Sequence, residues 1–248
     1  MAIRVTIWNE FRHEKRVPEA MEQYPDGLHA CVGAFLSKDE EIEVTLAALD
    51  DEANGLPDEV LNNTDVLMWW GHMCHNLVPD DLVERIYKRV VEQGMGFIAM
   101  HSAHFSKPFR RLTGMPCALT WGDNMNGIVW NVMPNHPIAK GIPLNFGIYE
   151  ELYSEPFSIP TPDELIFATW FESGNIFRGG VTYYRGLGKI FYFHPGHETC
   201  PSFHNPIVQK ILTNAVHWAA PNATGEGCLV GDVHQTTAVT DVLFGTKE

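Results

Sequence analysis

Apolar and polar positions run and alternate along the chain in an order that predicts an α/β protein with a mostly parallel sheet. Ile3 to Trp8 alternates as a first strand and Ile42 to Ala47 as a second. Val66 to Trp70 and Gly96 to Met100 are unbroken apolar runs, the pattern of strands buried on both faces. Between them, Asp80 to Glu92 carries Leu82, Val83, Ile86, Val90 and Val91 at helical spacing, and Gly94 stops the helix. Pro18 to Phe35 reads as one helix and Leu56 to Asn62 as a short one. Residues 101–160 are rich in Pro, Trp and Asn, and are expected to hold insertions and short strands that build a rim around the strand ends. Leu165 to Trp170, Val181 to Tyr184 and Lys189 to Phe193 read as later strands, the last two joined by a tight turn through Arg185, Gly186 and Gly188. Pro206 to Ala219 is a final helix, capped by Asn205 and ended by Pro221, with Ile207, Val208, Ile211, Leu212, Ala215 and Trp218 on one face.

This order predicts a single domain over residues 1–220 and a C-terminal arm over 221–248. The apolar stretch Val239 to Phe244 in that arm asks for a partner surface, so a homo-oligomer is expected. Composition narrows the partners. Among 248 residues, 17 Lys plus Arg face 31 Asp plus Glu, a formal charge of −14, which repels phosphate backbones and anionic lipid. Nucleic acid and membranes are therefore not expected as partners. Cys31, Cys74, Cys117, Cys200 and Cys228 are too scattered for a disulfide framework, and no CxxC pair occurs. The start, Met1 to Trp8, alternates like a strand and lacks the pattern of a signal peptide, and no apolar run reaches the ~18 residues of a membrane span. A soluble cytoplasmic protein is expected.

In open parallel sheets ligands bind outside the carboxyl ends of the strands, and here those positions are rich in histidine. His72 and His75 follow the third strand, His101 and His104 the fourth, and His194 and His197 the last, with His204 close behind. Imidazole is basic enough to shuttle a proton and neutral enough near pH 7 to ligate a metal. His72, His75, His101, His104 and His197 form the pool from which three or four ligands of a divalent transition metal are expected, zinc above all, given several imidazoles and few hard oxygens. There is no HExxH, so a zinc protease has no support. Glu198, beside His197, and Glu151 are the candidate bases or orienting carboxylates, with His101 as a further acid/base group. Trp69, Trp70, Phe105, Trp121 and Tyr153 crowd the same region, and flat rings among polar groups suit a small carbohydrate, although core packing explains most of them equally well.

Four runs carry a resemblance: Asp65-Val-Leu-Met-Trp-Trp-Gly-His72 with His75, Gly94-Met-Gly-Phe-Ile-Ala-Met-His101-Ser-Ala-His104, Glu150-Glu-Leu-Tyr-Ser-Glu-Pro-Phe157 and Phe193-His-Pro-Gly-His-Glu198. In that order they resemble the ThuA-like trehalose-utilisation proteins over roughly residues 3–220. That family is similar in fold to class I glutamine amidotransferases, which implies a flavodoxin-like, mostly parallel sheet with helices on both faces. Where the amidotransferase fold places its nucleophilic cysteine after a strand, this chain has His101-Ser102, so glutaminase chemistry is expected to be absent. The resemblance implies action on trehalose or a related glycoside, including 3-keto sugars. Two other readings stay open: a non-catalytic sugar-binding or regulatory module, and a serine hydrolase using Ser102.

Overall fold

The computed structural model describes residues 2–221, so the arm proposed for 221–248, with Val239 to Phe244, lies outside the described residues apart from Pro221. Nine strands form one sheet in the order β2-β1-β3-β4-β9-β8-β7-β5-β6. β1 (Ile3–Asn9), β2 (Ile42–Ala48), β3 (Val66–Trp70), β4 (Gly96–Met100) and β9 (Gly188–Phe193) are parallel to one another. β5 (Thr120–Asn131), β6 (Asn145–Ser154), β7 (Glu164–Phe171) and β8 (Ile176–Arg185) extend the sheet with antiparallel pairing.

The parallel strands alternate their apolar side chains between two cores. Val5, Ile7, Val66, Met68, Ile98 and Phe191 pack on one face with α2 (Leu28–Leu36) and α6 (Pro206–Ala219). Trp8, Leu67, Trp69, Phe97 and Tyr192 pack on the other with α3 (Asp58–Asn62), α4 (Asp80–Val91) and α5 (Lys107–Thr113). Every residue of β3 and β4 is buried, which is why these runs lack polar positions. The helices thus cover both faces, the arrangement expected of the fold.

Two expectations change. The helix read over Pro18 to Phe35 is two, α1 (Pro18–Gln23) and α2, because Pro25-Asp26-Gly27 intervenes and Gly27 takes φ +95, a conformation open to glycine without strain. Residues 101–160 hold not short strands but two long ones, β5 and β6 at 12 and 10 residues. Their polar and aromatic positions face solvent on one side, which hides the alternation from a search for apolar runs. The turn between β8 and β9 is as expected, with Arg185 paired to Gly188 and Gly186 at φ +58. Although β6 ends the sheet order, it lies against β8 and the 3-10 turn Ser202–His204, so the antiparallel half curls over the carboxyl ends of the parallel strands. This curl brings Glu150 and Glu151 to the histidines.

Candidate functional site

The adjacent strands β1, β3, β4 and β9 end on one rim, and the loops leaving them carry His13, His72, His101 and His197. The tightest turn follows β4. His101 takes φ +50, a left-handed conformation uncommon for a non-glycine residue, and a 3-10 turn, His101–Phe105, continues from it. Its fully buried ring is fixed at both nitrogens. Nδ1–H donates to the His194 carbonyl at 2.8 Å, whereas Nε2 lies 3.0 Å from Glu151 Oε2 and 3.2 Å from the Tyr153 hydroxyl.

Two buried carboxylates hold the neighbouring loops in shape. Glu10, directly after β1, accepts the backbone N–H groups of His72, Met73 and Cys74 at 2.8, 2.9 and 2.8 Å. Glu150 on β6 accepts those of Gly196 and His197 at 2.6 and 3.1 Å, and also the Ser202 hydroxyl. Charge-assisted bonds of this kind are the strong ones, and here each set closes a loop that carries one of the rim imidazoles, His72 or His197.

Two groups of donors result, each with its atoms within 4.8 Å of one another. In the first, Glu198 stands 3.2 Å from His72 Nδ1 and 3.5 Å from His13 Nε2, with the two imidazoles stacked. In the second, Glu151 joins His101 to His197, whose Nε2 is 3.9 Å from Glu151 and 3.6 Å from Glu198, so His197 links the groups. A third group, Asp39, Glu41 and His217, lies at the amino end of β2 and outside this rim.

His75 and His104 come from the expected loops but join neither group. Nδ1–H of His104 donates to the Cys117 carbonyl at 2.6 Å, and burial pushes its pKa down to about 3. Burial likewise lowers His75 to about 4, so both rings are neutral wall residues. Ser102 Oγ is buried without a hydrogen-bond partner among the described residues, and no base touches it. Burial raises the thiol pKa of Cys31, Cys74, Cys117 and Cys200, so none is a ready thiolate.

The cleft over these groups measures about 400 Å³. His72, His75, Ser102, His104, Glu151 and Tyr153 line it together with Phe105, Ala118, Leu119 and Trp121, and the two kinds are interleaved, since Phe105 lies against His75 and His104 and Trp121 is paired with Tyr153. Around it Glu10, Glu14, Glu150, Glu151 and Glu198 are all buried, and the ion pairs that Glu151 and Glu198 make among the described residues are with histidines, never with Lys or Arg. Sequence reading did not weigh His13, Glu10 or the contact of Tyr153. The available signal was their place just after a parallel strand, or opposite one.

Burial alone would lower the pKa of His101, but the hydrogen bond with Glu151 and the charges of Glu150 and Glu151 outweigh it and hold the ring up to about 8. Burial would raise Glu151, and its bond with His101 more than offsets this, leaving its carboxyl below the usual value. Glu198 also overcomes its burial, through His72 first, and falls to about 2. Because the folded pKa of His101 exceeds the ordinary 6.5, its protonation stabilises the fold fully below pH 6.5 and the contribution fades as pH rises through 8. Chemical denaturation in the presence of a chelator is expected to show about 2 kcal/mol lost between pH 6 and 9. A flat profile over that range would mean that the ring is neutral throughout.

Known proteins agree with this architecture. In solved structures the chain is similar to a ThuA-like protein from Parabacteroides merdae, with a TM-score of 0.67 at 14% identity over 88% of this chain and 90% of that one. It is also similar to a cytoplasmic protein from Salmonella typhimurium (TM-score 0.59, 13% identity, 89% and 100% covered). A glutamine amidotransferase from Thermotoga maritima gives a TM-score of 0.53 at 13% identity, with 88% and 98% covered. At such identities these likenesses establish the fold alone. No curated protein matches the chain. The family model described as trehalose utilisation matches residues 4–219, a span that includes every site residue above, and the chain therefore belongs to the ThuA family.

Proposed function

We propose that this chain is a sugar-metabolism enzyme that enolises the 3-keto form of trehalose or of a related glycoside. Membership of a family described as trehalose utilisation points to the substrate class. The observation that carries the chemistry is that Glu151 and His72 line one cleft and are backed by opposite partners, Glu151 by the raised-pKa His101 and His72 by the buried Glu198 carboxylate.

Glu151 Oε2 is engaged by His101, which leaves Oε1 free to take the proton alpha to the ketone. The C–H bond breaks, its electron pair forms the C=C bond, and the carbonyl π pair moves onto oxygen as an enediolate. His101 keeps Glu151 ionised before the transfer, and its own Nδ1–H bond to His194 fixes the ring. The hydroxyl proton on the deprotonated carbon then passes to the former carbonyl oxygen, and the proton that Glu151 has taken is delivered to the former carbonyl carbon, which moves the carbonyl one position along the ring and returns Glu151 to its ionised form.

The opposite wall fits a divalent cation. His13, His72 and Glu198 supply a mixed nitrogen and oxygen donor set, and among the described residues no Lys or Arg forms an ion pair with Glu198. A cation such as zinc, when bound there, would supply Lewis-acid stabilisation of the enediolate oxygen. His75 and His104, held as neutral wall residues, are not part of this ligand set, and His13 replaces them.

Incubation with 3-keto-trehalose in deuterium oxide, with zinc or manganese restored after chelation, is expected to place deuterium beside the ketone and to convert the sugar. No uptake and no conversion under those conditions would sink the reading. We read the protein as cytoplasmic, supported by the Salmonella typhimurium neighbour. No helix among the described residues is long and apolar enough to cross a membrane. We also read it as a homo-oligomer. Exposed Trp130, Trp170 and Ile176 on β5, β7 and β8 support that view.

A further inference from the structure

The cleft carries apolar surface that the enolisation of one ring does not require. A volume of about 400 Å³ has room for roughly 13 waters at about 30 Å³ each. A hexose has twelve non-hydrogen atoms, covalently joined and therefore more compact, so one ring leaves the cleft partly empty. The ketone-bearing ring belongs beside Glu151 and His72. Ser102, only 3% exposed, also lines the cleft, and its buried Oγ has no hydrogen-bond partner among the described residues. A buried hydroxyl without a partner is costly, and a sugar hydroxyl would satisfy it.

Trp121 is 69% exposed although it lines the cleft. It is not loosely placed. Trp121 is paired across β5 and β6 with Tyr153, so both side chains stand on one face of the hairpin, the tyrosine buried within and the tryptophan at the rim. Phe105, 43% exposed, and Leu119 continue the apolar wall. A large indole left in water beside a polar pocket is the surface that the apolar face of a pyranose stacks upon.

We propose that the cleft is a two-ring site, in which Ser102 hydrogen-bonds the reacting ring and Trp121 stacks the second ring of a disaccharide. The proposal rests on the carbohydrate reading above and deepens it, by making a glycoside with a second sugar ring, rather than a free hexose, the preferred substrate. Trp121 is then a specificity residue and has no part in proton transfer.

Isothermal titration of the full chain with α,α-trehalose and with D-glucose tests this. The wild-type chain is expected to bind trehalose about tenfold more tightly than glucose. Trp121→Ala should abolish that preference without changing the affinity for glucose, and Trp121→Phe should restore most of it. Ser102→Ala should weaken both sugars alike. With 3-keto-trehalose as substrate, Trp121→Ala should raise KM about tenfold and leave kcat within twofold. A trehalose-to-glucose ratio that is unchanged in Trp121→Ala, in a wild-type protein that turns over, overturns the second-ring site and leaves the enolisation standing. A wild-type protein that neither binds trehalose nor acts on the keto sugar overturns both.

Discussion

Glu151→Gln is expected to lower kcat for the 3-keto glycoside about 10³-fold while leaving trehalose affinity within a few-fold. The amide keeps the size of the side chain and its oxygen can still accept from His101, so the cleft stays intact. What disappears is the negative charge that takes the proton. The same substitution removes the first of the effects that hold the pKa of the buried His101 up, and burial, which lowers it, then dominates. The loss of stability between pH 6 and 9 should therefore vanish in this variant. Stopped-flow or steady-state turnover read beside chelated denaturation curves checks both halves at once. Turnover within tenfold of the wild type would show that another group takes the proton, and an unchanged pH profile would show that the charge on His101 does not depend on Glu151.

The parallel half of the sheet is legible in the sequence because burial on both faces leaves one simple mark, an unbroken apolar run, as in Val66 to Trp70 and Gly96 to Met100. β5 and β6 carry no such mark. One face of each is wet, so Thr120 to Asn131 mixes Trp, Asn and Gly in a pattern that sequence alone reads as irregular. The candidate site divides in the same way. Topology alone puts the loops after β3, β4 and β9 on one rim, and so His72, His101 and His197 are foreseeable. Which way each ring turns is decided by single torsions and by the partners of its nitrogens. His101 and His104 are three residues apart in one 3-10 turn, yet the positive φ at His101 sends its ring to Glu151, whereas the Cys117 carbonyl holds the His104 ring in the wall. His13 was hidden by the shortness of its signal, a single histidine in a basic loop, and Glu151, although a candidate base from the sequence, could not be matched to His101 because it stands on the farthest strand of the sheet. The curl that carries β6 over the rim is a property of the whole sheet and is written in no local stretch.

Glu150→Ala should cost more stability than any other single change at the rim, about 4 kcal/mol, which for a chain of this size lowers Tm by about 10 °C. The side chain is fully buried and accepts from the backbone N–H groups of Glu151, Gly196 and His197 as well as from Ser202 Oγ. Alanine would leave those donors buried without an acceptor, in a space too small for the loop to rearrange freely, since Gly196 already packs against Phe203 and His101. Glu172, exposed and accepting from Asn126, serves as the comparison, and its replacement by alanine should cost less than about 0.5 kcal/mol. Calorimetry on the two variants separates the outcomes, because a loss under about 1 kcal/mol for Glu150→Ala would mean that the β9 loop holds its shape unaided. The neighbouring positions 150 and 151 thus divide the work by the direction in which each side chain leaves β6. The first turns inward and fixes the loop that carries His197, and the second turns to the cleft and meets the substrate. Weakening the first should therefore lower turnover as well, through His197 and Glu198, even though Glu150 lines no part of the cleft.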